Sequence, residues 1–321
     1  MAGKKRKRKR RESSTSVRTG SSGAALDADD ARRLHHAVRS RYLKHPDVVG
    51  VGLGTKLTGG QPTDQHGSVH FYVRKKRRNP KRPLPRFVFA RNPDGTIDRI
   101  RKIPTDVIEI GEVRFACGAG SRADNTYGNV GTICLLFRNK AAAGGMFLVT
   151  CAHVAKDSTE MICDCCPKIN PAGKVAFKAT PINGLLEFDI AIATLDARCS
   201  GSDLMVEGTD LKLTGFLDRS QISPGLNVDC ALPVSLVPNA NVYSYAGTVQ
   251  VGDIQVDNAF LLGATVMPGD SGGLLYNDSL AVGMVFALAS RGWSFFHPIE
   301  DAITFANENG GLNLNIFSND R

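Results

Sequence analysis

No run in the chain approaches the roughly 18 consecutive apolar residues of a membrane-crossing helix, so a soluble protein without a membrane partner is expected of these 321 residues. The basic residues near the amino terminus have no apolar stretch behind them, and a secretion signal is not expected either. The eight cysteines lack the paired C-x-x-C halves of a common zinc site. Cys163, Cys165 and Cys166 form one tight cluster, yet free thiols in a reducing compartment are the expected state, and neither a metal nor an organic cofactor is predicted. His35, His36, His66 and His70 have no cysteine or carboxylate ligands in register and are expected to be surface or structural residues; His297, between Phe296 and Pro298, is expected to pack.

Positive charge is abundant but local. The net charge is +9, and residues 4 to 11 are all Lys or Arg. Beyond them 32 basic residues face 31 acidic ones, and seven of the 32 (Arg74, Lys75, Lys76, Arg77, Arg78, Lys81 and Arg82) form a second cluster. The first run has no interleaved aromatics, so any nucleic acid it tethers is bound through phosphate, without base readout and with steep salt dependence. A nuclear address and a plain solvated tail are equally compatible with it. The second cluster follows Phe71-Tyr72-Val73 and is expected on a solvated hairpin loop near Asn79-Pro80.

Three regions emerge along the chain. Residues 1–25 join the basic run to Ser, Thr and Gly and are expected to be a disordered basic tail. Residues 26–116 read as a small α+β domain. A helix starts at Leu26 on acidic residues and ends before His45-Pro46; strands follow at Val48 to Leu53, Val69 to Arg74 and Val107 to Val113. Residues 117–321 carry many short apolar segments, with helical spacing only at Pro298 to Asn307, so the chain as a whole is mainly β.

Three short motifs carry chemistry: Thr150-Cys151-Ala152-His153, Phe188-Asp189-Ile190-Ala191 and Pro268-Gly269-Asp270-Ser271-Gly272-Gly273. A serine hydroxyl needs a base to take its proton, and the base needs an anion to hold its tautomer. His153, Asp189 and Ser271 supply these groups, but they lie 36 and 82 residues apart, so only the fold can bring them together. The glycines around Ser271 permit a sharp turn that aims amides at a developing oxyanion.

In this order the motifs resemble those of the chymotrypsin-like (trypsin-like) serine peptidase family: T-C-A-H beside its T-A-A-H, D-I-A-I-A beside D-I-A-L-L, and G-D-S-G-G unchanged. The resemblance covers residues 117 to 308. It implies a double six-stranded antiparallel β-barrel, with His153 as general base and acid, Asp189 orienting it, Ser271 as nucleophile, and the amides of Gly269 and Ser271 as the oxyanion hole. Gly283-Met284-Val285-Phe286-Ala287-Leu288 aligns with the family's G-I-V-S-W-G substrate-binding strand. This places Phe286, Ala287 and Leu288 at the substrate pocket, with Thr265 where a trypsin keeps its aspartate. Leu288 in place of a glycine narrows the pocket, so a small uncharged residue is expected before the scissile bond. Many family members pair a freed Ile or Val amino terminus with the acid beside the serine, here Asp270; Asp47-Val48-Val49-Gly50 is read instead as an ordinary strand, leaving Asp270 to find another partner.

The front region is similar to the domain preceding trypsin-like peptidases in some bacterial and plant proteins, through V-G-V-G-L-G, F-Y-V-R-K-K and I-P-T-D-V-I-E in order. The two resemblances imply an intracellular serine endopeptidase, cytoplasmic or, in a eukaryote, nuclear, acting on polypeptides, with a front domain that presents substrates, binds a regulatory protein partner or assembles the oligomer. A rival from another class is an inactive or latent scaffold of the same fold that binds a protein partner while its basic tail tethers nucleic acid.

Overall fold

The computed structural model describes residues 28–58, 61–63, 67–115, 123–125, 130–140, 145–163, 173–198, 204–206 and 209–317. The basic run, His66, Cys165 and Cys166 lie outside these residues, as does the side chain of Cys163. Among the described residues no helix is long and apolar enough to cross a membrane.

The first helix, Ala28–Tyr42, begins on Asp29 and Asp30, whose charges suit the positive end of its dipole. Asp30 also accepts from Arg33 at 2.6 Å and Arg101 at 2.5 Å, which tie the helix start to the sheet. Ala31, Leu34 and Val38 recur at helical spacing and are buried against Val51, Leu53, Val69 and Phe71. The strands beneath run in the order Val48–Gly54, Ser68–Val73, Ile97–Glu109, Phe87–Arg91. Ser68–Val73 pairs parallel to Ile97–Glu109, and Phe87–Arg91 pairs antiparallel on its far side. The second basic cluster is exposed as expected, but it lies on a crossover between strands that are not neighbours, and not on a hairpin.

The front strands share one sheet with the carboxy-terminal half, because Val48–Gly54 pairs antiparallel with Asn239–Val251. From there the pairings lead through Asn227–Ala231, Leu274–Asn277, Leu280–Ala289 and Trp293–Pro298 to Ile254–Leu262, which pairs again with Asn239–Val251. These six strands form a ring of pairings around Val228, Val242, Phe260, Leu275, Val285 and Phe296. Tyr72 from the front reaches into this half, its hydroxyl 2.5 Å from Ser244 Oγ.

A second sheet holds seven strands, in the order Leu135–Arg138, Met146–Thr150, Ala191–Leu195, Gly173–Lys178, Glu160–Cys163, Ala123–Asn125, Val130–Gly131. Its apolar side shares the largest core with the other half; Phe137, Leu148, Val149 and Ile192 from this sheet are buried in one cluster with Met284, Phe286 and Phe295. The closing helix Ile299–Gly310 buries Ile299, Ala302, Ile303 and Ala306 in the same core.

Candidate active site

Strand pairing brings the first two residues together. Met146–Thr150 runs antiparallel to Ala191–Leu195 with Thr150 opposite Ala191, so the residues after Thr150 and those before Ala191 emerge side by side. Beyond Thr150 the chain makes one helical turn, Ala152–Ala155. The first amides of such a turn have no partner within it. Asp189 Oδ1 accepts the His153 backbone N–H at 3.0 Å, and Oδ2 lies 2.5 Å from His153 Nδ1.

The loop that carries Ser271 is held between the two sheets. Thr132, just before Leu135–Arg138, donates its N–H to Ser271 O at 2.6 Å and its hydroxyl to Gly269 O at 2.7 Å. Thr150 Oγ1 donates to Thr132 O at 2.8 Å. On the other side Gly272 N–H donates to Val285 O at 2.8 Å, and Val285 N–H to Gly273 O at 2.9 Å. Gly272 has φ +93°, and a Cβ there would lie 1.9 Å from Thr132 O, so no side chain is tolerated in this seam.

The result is that His153 Nε2 lies 2.9 Å from Ser271 Oγ. A carboxylate can only accept, so the proton on His153 sits on Nδ1, and Nε2 is left to accept from the serine hydroxyl. Ser271 Oγ is also 3.2 Å from Phe286 O. Burial opposes the charge on Asp189, but the attraction of His153 and the hydrogen bonds from its ring and backbone outweigh that cost and hold the carboxyl below its usual range. Gly269 has φ +109°, and among the hydrogen bonds of the described residues none engages the N–H of Gly269 or of Ser271.

His297 plays a part beyond the packing expected of it. Its Nε2 accepts the backbone N–H of Asp189 at 3.0 Å, and its Nδ1 donates to Asn258 O at 3.2 Å. Burial pushes its pKa down to about 4, so the ring is neutral at pH 7. It stacks on Phe286 with centroids 4.2 Å apart. No motif signals this contact, because a histidine 108 residues from Asp189 reaches it only through the fold. Asp270 also finds its partners: Oδ1 accepts from Val234 N–H at 3.0 Å and Ser235 N–H at 3.4 Å, and Oδ2 from Met267 N–H at 2.8 Å. Backbone amides thus hold this buried carboxylate, while Val48 lies in the strand Val48–Gly54.

Of the residues expected at the substrate pocket, Thr265 is exposed and Leu288 is half-buried against the ring core. Phe286 and Ala287 are fully buried. The Phe286 ring faces His297, so this residue meets Ser271 through its carbonyl oxygen.

Cys134, Cys151 and Cys230 are free thiols, and burial pushes Cys230 up to about 12. Among the described residues Cys151, His153 and Asp189 are close enough to surround an ion, within 4.8 Å of one another, but their atoms already have protein partners; Cys151 Sγ donates to Val285 O at 3.3 Å. His35, near Val51 O and Thr248 Oγ1, and the fully buried His70, against Thr55 O, serve packing, and His36 is exposed.

No protein-family model matches the chain, and no curated protein matches its sequence. Solved structures similar to it include chymotrypsin-like serine proteases. They include a glutamic acid specific serine protease, 19% identical over 58% of this chain and 96% of that one with a TM-score of 0.46. Thermobifida fusca protease A is 19% identical over 58% and 93%, with a TM-score of 0.43. The Nocardiopsis protease is 16% identical over 62% and 96%, with a TM-score of 0.44. With identities this low and TM-scores below 0.5, the chemistry of the site rests on its own distances.

Proposed function

We propose that the chain is a serine endopeptidase that hydrolyses peptide bonds through an acyl-enzyme. The observation that carries this reading is the continuous contact from Asp189 Oδ2 to His153 Nδ1 and from His153 Nε2 to Ser271 Oγ, at 2.5 and 2.9 Å. In the first step Ser271 Oγ bonds to the substrate carbonyl carbon while His153 Nε2 takes the hydroxyl proton; the carbonyl π pair moves onto oxygen, facing the amides of Gly269 and Ser271. As the C–N bond breaks, His153 returns its proton to the leaving amine. Water, with His153 again as base, then adds to the acyl carbon, and collapse of the adduct frees the new carboxyl group and Ser271. Asp189 keeps the Nδ1 proton in place throughout and balances the charge on the imidazolium.

The ring of six strands and the seven-stranded sheet correspond in this reading to the two barrels implied by the family resemblance, within a catalytic domain of residues 117–321 behind a front domain of 26–116. Uncharged Thr265 and Leu288 support a preference for a small uncharged residue before the scissile bond. The free thiols of Cys134, Cys151 and Cys230 among the described residues support an intracellular setting, cytoplasmic or nuclear. Engagement of a regulatory protein by the front domain and of nucleic acid by the basic tail are parts of the same proposal.

The test is labelling by a fluorophosphonate. The wild type should be labelled at Ser271 and Ser271→Ala should not; a folded wild type that resists the reagent would favour a binding scaffold.

A further inference from the structure

The edge of the strand beside the reacting serine is already occupied. Along Leu280–Ala289, residues 280 to 284 pair with the hairpin partner Leu274–Asn277, Val285 bonds Gly272 and Gly273, and the Phe286 carbonyl meets Ser271 Oγ. The next residues on that strand pair with the chain's own Val113–Phe115, antiparallel, with Ala287 opposite Phe115, Leu288 opposite Arg114 and Ala289 opposite Val113. Trp293–Pro298 pairs with the same residues as well, so both edges are in use. An extended peptide delivering a carbonyl to Ser271 needs an exposed strand edge at that place, since main-chain pairing is how a sheet holds such a ligand.

We infer that Val113–Phe115 is a self-inhibitory strand, seated where a peptide substrate pairs with residues 287 to 289, and that substrates bind by displacing it. This rests on the reading of Ser271 as a hydrolase nucleophile. Several contacts hold the segment in place. Ser290 N–H donates to Glu112 O at 3.3 Å, Arg291 Nη2 lies 2.9 Å from Glu109 Oε1, and Val113 is buried in the main core. Gly111 has φ +77°, and a Cβ there would come 2.4 Å from Ser290 Cβ, so this glycine lets the segment turn onto the strand. Being part of the same chain, the segment competes with a free peptide at an effective concentration on the order of millimolar. Among the described residues the paired strand is short, Val113–Phe115, which keeps opening within reach of a substrate or partner.

The experiment uses the full chain, Gly111→Val, which clashes at Ser290, and Arg114→Pro, which removes a backbone donor from the short strand. Each is assayed for fluorophosphonate labelling, hydrolysis of an acetyl-alanine nitrophenyl ester, and hydrolysis of an extended peptide. Labelling and ester hydrolysis do not require the strand edge and should stay within about twofold of wild type, while KM for the peptide should fall about tenfold as the competent fraction rises. Variants that label normally but cleave the peptide no better would overturn the inference while leaving the hydrolase reading intact. If no chain labels, the hydrolase reading fails and the inference with it. A measurement on the wild type guards against a misfolded variant: hydrogen exchange at residues 113 to 115 should accelerate when a peptide aldehyde caps Ser271, and unchanged protection would refute displacement.

Discussion

Replacing His297 by glutamine separates the hydrogen-bonding role of this ring from its titration. Glutamine can accept the Asp189 N–H and donate to Asn258 O as the neutral ring does, but it cannot take a proton. At pH 7 the loss is chiefly the stacked contact with Phe286, about 1 kcal/mol for an aromatic pair. In acid the order reverses. The folded-state pKa of His297 is about 4 against 6.5 for a free histidine, so between those values the unfolded chain binds the proton more readily and stability falls as pH drops. The slope for one group is about 1.4 kcal/mol per pH unit, or roughly 3 kcal/mol over the whole window. His35 and His70 are also held low by burial and add to acid sensitivity, but they are unchanged in the variant and cancel in the comparison. His297→Gln should therefore be the less stable protein at pH 7 and the more stable one near pH 4.5, by about 1 to 2 kcal/mol. Urea unfolding can be followed through Trp293, the only tryptophan, which packs on Tyr243 at 4.6 Å. Parallel stability curves for the two proteins between pH 7 and 4.5 would refute the reasoning.

Other outcomes follow from the same contacts. Asp189→Asn should lower kcat by roughly 10⁴-fold, because an amide donor facing Nδ1 moves the proton to Nε2 and removes the acceptor for Ser271; a loss under tenfold in steady-state rate would exclude the proposed role. Thr132→Val removes the hydroxyl bonded to Gly269 O and strands a buried carbonyl, at a cost of about 1 to 3 kcal/mol in unfolding free energy with slower fluorophosphonate labelling. On a peptide library, cleavage should concentrate after small uncharged residues, and efficient cleavage after Lys or Arg would sink the proposed pocket.

Much of the fold is legible where short-range physics decides it. Met146–Thr150 and Asn227–Ala231 lie where their apolar segments predict, and the helices Ala28–Tyr42 and Ile299–Gly310 match their charge and spacing signals within a few residues. The expected strand from Val107 is the end of a longer one, Ile97–Glu109, whose first half carries Asp98, Arg99, Arg101 and Lys102 and so hides its extended conformation behind polar side chains. The apolar spacing of Leu211 to Phe216 reads as one strand, yet only Gly215–Phe216 forms it, because Leu211 and Leu213 are drawn into local bonds with Val206 and Leu204.

By itself, the order of residues determined which groups are candidates for chemistry: His153, Asp189 and Ser271 stand in motifs whose residue types have a clear joint use. Their distances, the backbone cradle of Asp270, the support of Asp189 by His297 and the occupation of residues 287 to 289 by Val113–Phe115 were decided only by the tertiary structure. Each depends on backbone groups or on residues far apart in the chain, and pairing between distant strands leaves no local pattern to read.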